Sequence, residues 1–204
     1  MVAIVDYGVG NLFSLKSSFA AIGEMANVTS DTNEILSAGR IILPGVGAFS
    51  DAAAKLRKSG LDKAVVSAAN EGVPLMGICL GMQLLFEKSY EYGEWAGLGL
   101  IEGSVRPISE VIPKEYKIPH IGWNALDIKR ESPIFKYIKN GDFVYFVHSF
   151  YAADCGSATV AVSDYGAPLT AAVQSKNIFG CQFHPEKSGE VGLSILRAFC
   201  EVTR

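Results

Sequence analysis

Three groups of residues in this sequence have the types and spacing to do chemistry. The first is Gly77-Ile78-Cys79-Leu80-Gly81, which follows one apolar run and opens another. A nucleophile on a sharp strand-to-helix turn needs small residues two positions to either side, because the turn crowds backbone against them. A helix beginning at Leu80 aims its first amides at the sulfur and favours the thiolate. A free cysteine is otherwise one more small buried residue. The paired glycines and the strand–helix context mark Cys79 as a nucleophile instead.

The second group is His184-Pro185-Glu186, after the apolar run Phe179–Phe183. Residues i and i+2 of an extended segment point the same way, and Pro185 holds His184 in the extended region. A carboxylate on one imidazole nitrogen leaves the other to exchange a proton with a thiol. Alone, the trio reads more simply as a strand-end histidine beside a solvated glutamate; its weight comes from the company of Cys79. His148 is the rival base, but no carboxylate lies within two residues of it. The third group, Pro44-Gly45-Val46-Gly47-Ala48, closes the apolar run Arg40–Leu43. An elbow enzyme needs two N–H donors for the developing oxyanion. Leu80 supplies one, and Val46 or Gly47 the other, although the same residues also suit an ordinary strand–helix turn. The combined chemistry is acyl transfer through a cysteine thioester.

The elements that must position these groups follow from periodicity. Val2–Val5, Arg40–Leu43 and Pro74–Ile78 read as buried strands. Asn11–Ile22 reads as a helix with Leu12, Leu15, Phe19 and Ile22 on one face, further helical segments run to about Glu71, and Leu80–Lys88 reads as another helix. That alternation predicts an α/β fold, a mostly parallel central sheet flanked by helices. From about Leu98 the pattern turns strand-rich: Leu98–Ile108, Ile118–Ile128, Phe143–Ala152, Thr159–Ser163, Thr170–Gln174 and Phe179–Phe183. This predicts an additional antiparallel β portion. A last helix spans Ser188–Val202, with Ser188 as its N-cap and Val191, Ile195, Phe199 and Val202 on one face. No repeat or long linker interrupts the chain, so a single domain over residues 1–204 is expected.

Composition removes other classes. A net charge of −3 with no basic cluster gives no footprint for nucleic acid or an anionic membrane. The longest uncharged run, Gly72 to Phe86, is shorter than a membrane span and contains Pro74, Gly77 and Gly81. The first basic residue, Lys16, follows Asp6, so no signal peptide is expected. Cys79, Cys155, Cys181 and Cys200 form no CxxC pair, and His120, His148 and His184 are scattered. Neither a disulfide framework nor a metal site is expected, and a reducing cytoplasm is the expected setting. Gly8-Val9-Gly10 follows the first strand, but Phe13 occupies the third glycine position of a dinucleotide fingerprint.

An oxyanion turn, a GxCxG elbow and a C-terminal HPE, in that order, make the whole chain resemble the class I glutamine amidotransferases. Asp6-Tyr7-Gly8-Val9-Gly10-Asn11, Pro119-His120-Ile121-Gly122-Trp123-Asn124, Tyr145-Phe146-Val147-His148-Ser149 and Gln182-Phe183-His184-Pro185-Glu186-Lys187-Ser188 are similar to one branch. Its members are the glutaminase subunits that serve imidazole glycerol phosphate synthesis in histidine biosynthesis. The resemblance implies hydrolysis of glutamine without any cofactor, and delivery of ammonia to a separate (β/α)8-barrel cyclase subunit. It implies that Gln83 and Glu91 hold the amino-acid end of glutamine, helped by backbone near Gly47, Ser149 and Phe150. It also implies that Asn11, Trp123, Tyr145 and Lys187 face the cyclase; core packing is the equal alternative for Trp123 and Tyr145. Val9 departs from relatives that carry Pro inside the first glycine turn. A glutaminase for another ammonia-using synthase, or a catalytically silent regulatory subunit, are the competing readings.

Overall fold

Residues 1–203 are described by a computed structural model. The first half alternates as β1 (Val2–Val5), α1 (Leu12–Ala21), β2 (Ala26–Thr29), α2 (Thr32–Leu36), β3 (Arg40–Gly45), α3 (Phe49–Lys58), α4 (Leu61–Asn70), β4 (Leu75–Cys79) and α5 (Leu80–Leu84). The second half holds β5 (Phe86–Ser89), β6 (Trp95–Ala96), β7 (Ile101–Pro107), β8 (His120–Ala125), β9 (Asp127–Ile128), β10 (Phe143–His148), β11 (Phe150–Ala153), β12 (Thr159–Asp164), β13 (Pro168–Ser175), β14 (Ile178–Cys181) and α6 (Gly189–Glu201). Eight strands form the main sheet in the order β2-β1-β3-β4-β14-β13-β12-β9. The pairs from β2 to β14 are parallel, and those from β14 to β9 are antiparallel. The fold is thus α/β with the expected antiparallel portion, of which β13, β12 and β9 continue the same sheet while β10-β8 and β11-β7-β5-β6 form two separate ones. No helix among the described residues is long and apolar enough to cross a membrane.

One core cluster lies on each face of the sheet. Along β1, Ala3 and Val5 enter one while Val2 and Ile4 enter the other, as the two-residue period of a strand requires. Buried on both faces, β1 and β4 are continuous apolar runs. Leu15 and Phe19 of α1 and Ile195 and Phe199 of α6 are buried in the same cluster, with Leu12, Ile22, Val191 and Val202 partly buried against it.

Several boundaries differ from expectation. The helix expected over Leu80–Lys88 stops at Leu84, because Leu98 N–H and Leu100 N–H take the carbonyls of Leu84 and Leu85 (both 2.8 Å). Phe86 then begins β5 and pairs with Ile101 of β7. The strand expected over Phe143–Ala152 divides at Ser149: β10 pairs with β8, while β11 pairs with β7 in another sheet. Ser188 adjoins α6 but makes no side-chain cap. Its hydroxyl donates to His184 O (2.6 Å) and accepts from Tyr145 N–H (3.0 Å), tying the His184 segment to β10. β2, α2 and β6 are additions to the expected elements.

Candidate active site

β3 and β4 run side by side, with Gly45 opposite Cys79, so the elbow and the Pro44–Gly47 turn share one edge of the sheet. Cys79 has φ 54° and ψ −115°, a strained conformation for a residue with a side chain. The close approach behind it explains the glycines. A Cβ on Gly77 would lie 2.6 Å from Gly81 O, one on Gly45 2.6 Å from Gly81 N, and one on Gly81 would overlap Leu43 O. As the first residue of α5, Leu80 has an N–H with no intrahelical partner. Gly47 sits at φ +93° with open space where a Cβ would be. Tyr7, just past β1, donates its hydroxyl to Pro44 O (2.7 Å) and so fixes the start of the turn. Burial first, and proximity to Cys79 second, push the Tyr7 phenol up, so it stays a neutral donor.

His184 follows β14, the strand beside β4, and Pro185–Lys187 form a single 3-10 turn. His184 Nδ1–H donates to Glu186 Oε1 at 2.8 Å, with both side chains buried. Burial pushes the His184 imidazole down, but Cys79 and Glu186 together outweigh it and raise the ring to about 9. Cys79 leads Glu186 among the groups that raise it. The hydrogen-bond contacts of its sulfur are with Val147 O (4.0 Å) and Gln182 Nε2 (3.7 Å). Glu186 Oε2 is buried with no hydrogen-bond partner among the described residues.

Val46, Gly47, Cys79, Leu80, Gln83, Glu91, Ser149, Phe150 and His184 all line one cleft of about 330 Å³. Glu186 stands behind His184. Glu91 is fixed by the Phe49 N–H, which donates to its carboxylate at 2.6 Å; burial raises its carboxyl against that bond. Asn11, Trp123, Tyr145 and Lys187 are not part of the cleft lining. Trp123 and Tyr145 are opposite one another across β8 and β10, their ring centroids 6.1 Å apart, and Lys187 Nζ lies 5.9 Å from the Tyr145 ring. Trp123 is 55% exposed, which removes core packing as its explanation, while Tyr145 is half-buried. Asn11 caps α1, its side chain accepting from Ser14 N–H at 3.4 Å.

His148 is not poised as a base. It is buried, and burial lowers it to about 4; His120 is lowered to about 4 for the same reason. The two rings share a hydrogen bond of 3.0 Å, and His120 is stacked between Tyr165 and Phe146. The contacts of Tyr7, Gln182 and the His120–His148 pair are not legible in the motifs that contain these residues. Their partners lie far away in the chain, so no local spacing announces them.

The family model described as glutamine amidotransferase class-I matches residues 3–202. Imidazole glycerol phosphate synthase subunit HisH of Caldanaerobacter subterraneus subsp. tengcongensis is 48% identical, over 100% of this chain and 99% of that protein. The subunit of the same name from Wolinella succinogenes is also 48% identical, over 99% and 100%. A solved glutamine amidotransferase superposes with a TM-score of 0.76 at 20% identity, covering 98% of both chains. PurLQS from Thermotoga maritima superposes with a TM-score of 0.75 at 21% identity, covering 98% of this chain and 96% of the other. At those identities the two structures show the fold alone.

Proposed function

This chain belongs to the class I glutamine amidotransferases, and from that membership we propose that it is the glutaminase subunit of imidazole glycerol phosphate synthase, acting in histidine biosynthesis. It hydrolyses L-glutamine to L-glutamate and ammonia as one glutaminase domain. The ammonia passes to the cyclase subunit, a (β/α)8 barrel, which forms imidazole glycerol phosphate and aminoimidazole carboxamide ribotide. The two subunits work as a heterodimer in the cytoplasm, meeting on the side of Asn11, Trp123, Tyr145 and Lys187.

The observation that carries the chemistry is the meeting of the Cys79 elbow, the buried His184–Glu186 pair and the Val46–Gly47 turn at one cleft. The Cys79 thiolate attacks the carboxamide carbon, and the oxyanion is met by Leu80 N–H and by Val46 or Gly47 N–H. His184, raised to about 9, begins as imidazolium and gives its proton to the departing ammonia. Now neutral, it takes a proton from water, whose oxygen attacks the thioester, and glutamate leaves as the electron pair returns to sulfur. Glu186 orients the ring and stabilises its charged form. Gln83, Glu91, Ser149 and Phe150 surround the space for the amino-acid end of glutamine.

The test is Cys79→Ala in the complex with the cyclase subunit. Glutamine-dependent synthesis should vanish, while synthesis with added ammonium salt continues, because the nucleophile serves only amide cleavage. Loss of the ammonium-dependent reaction in an assembled complex would refute this division of labour.

A further inference from the structure

Gln182 is completely buried after β14, and its side chain has no part in the chemistry above. Hydrogen-bond polarity fixes which way its amide points. Phe150 O can only accept, and it receives His148 Nδ1–H (2.8 Å) and Gln83 Nε2–H (3.2 Å). Turning the Gln83 amide over would set its oxygen against that carbonyl. The other Gln83 N–H therefore goes to Gln182 Oε1, at 3.0 Å. Gln182 is left with its amide nitrogen toward Cys79 Sγ, at 3.7 Å. His148 is held in turn, because its Nε2 accepts from His120 Nδ1–H at 3.0 Å. Each donor in this row is aimed by an acceptor that can do nothing else.

The sulfur thus has two neighbours of opposite kind. Val147 O, 4.0 Å away, can only accept, so it suits the thiol S–H. The Gln182 N–H can only donate, so it suits the thiolate, and a bond to an ionised acceptor is the stronger of the two. We propose that Gln182 is a further catalytic residue whose side-chain N–H stabilises the Cys79 thiolate, and that Gln83 holds it in that orientation. It acts twice in each turnover. The first occasion is before attack. The second is thioester hydrolysis, when the C–S electron pair returns to sulfur as the new C–O bond is kept. The turnover role rests on the glutaminase reading; the contact with sulfur does not.

The test is the rate of Cys79 alkylation by iodoacetamide against pH in the full chain, with Cys79→Ala as the blank for the other cysteines. Losing a hydrogen bond to a charged group should raise the midpoint in Gln182→Met by about one to two pH units. At a pH below both midpoints that is an alkylation rate about ten- to a hundredfold lower. The other titratable groups around the sulfur and its cleft, Tyr7, Glu91, Tyr92, His148 and His184 with Glu186 behind it, are unchanged in this variant. A wild-type midpoint in Gln182→Met, folded by circular dichroism, overturns the proposal. In the unaltered protein the Gln182 side-chain amide resonances should move over the pH range in which Cys79 ionises, and stay still in Cys79→Ala. Resonances indifferent to that ionisation overturn it without any change at position 182. Should the wild-type complex fail to hydrolyse glutamine, the glutaminase reading falls, and the alkylation result stands apart from it.

Discussion

At His184, burial favours the neutral ring while Cys79 and Glu186 favour imidazolium, and the balance lies at about 9. The alkaline limb of kcat/KM for glutamine should therefore fall near pH 9, where the ring loses the proton it must give to ammonia. Glu186→Gln keeps a partner for the Nδ1–H but removes the negative charge, so that limb should move toward the ordinary histidine value near 6.5. Its rate at neutral pH should fall less than that of His184→Ala, which loses the proton carrier altogether. An alkaline limb that stays in place in Glu186→Gln removes Glu186 from the machinery. These residues were legible in the sequence because their relations are local: a two-residue spacing across Pro185, and glycines two positions either side of Cys79. Gln182 was not legible in the same way. Its side chain meets Gln83 and Cys79 across 99 and 103 positions of sequence, and only folding brings them together.

Among the elements, the turn after β3 combines a fixed end with a free one. Tyr7 clamps Pro44 O, and strand pairing places Pro44 and Gly45 opposite Ile78 and Cys79. Strand pairing ends at Gly45, so it does not hold the peptides of Val46 and Gly47, which line the cleft. Gly47→Ala meets no steric neighbour, so its cost is the φ of +93° alone, and the fold should survive. Val46→Pro also deletes an N–H. Either variant should lower the cyclase-stimulated glutaminase rate, by about a hundred- to a thousandfold if one oxyanion donor is lost, while complex formation changes little. Paired rate and binding measurements decide this, and full glutaminase rates in both variants would remove the amides of this turn from the oxyanion hole. Gly81→Ala should behave differently. Its Cβ would overlap Leu43 O, so a loss of about 1–3 kcal/mol in urea unfolding is expected, and unchanged stability would show that the elbow tolerates movement. The parallel half of the sheet was legible from its apolar runs and glycine punctuation. The end of α5 and the break at Ser149 were not, because both are set by partners in other sheets: β7 claims Phe86, and β11 leaves β10 to join β7.

For the whole molecule, the histidines make stability depend on pH in two separate windows. His120 and His148 are held neutral by burial and lowered to about 4. The unfolded chain binds protons at these positions below about 6.5, so stability is full above that value and is lost as pH falls toward 4. His184 has the opposite sign. Its raised value of about 9 adds stability that is complete below about 6.5 and is lost as pH rises through 9. Across the acid window the His184 contribution is therefore constant, and the buried pair sets the slope. Glu91, raised by burial, opposes the pair weakly because it is only half-buried. One fully desolvated histidine of this kind accounts for roughly 2 kcal/mol between pH 6.5 and pH 5. Urea unfolding at pH 7 and pH 5 should show at least that loss, and His148→Asn should shrink the difference while lowering stability at both. The structural reason is the hydrogen-bond order of the pair. His148 Nδ1–H is committed to Phe150 O and its Nε2 to the His120 N–H, so a second proton on His148 has no acceptor and must break the row. Stability that is flat from pH 7 to pH 5, or a variant with the wild-type slope, would show that the pair takes up protons in the folded state without strain.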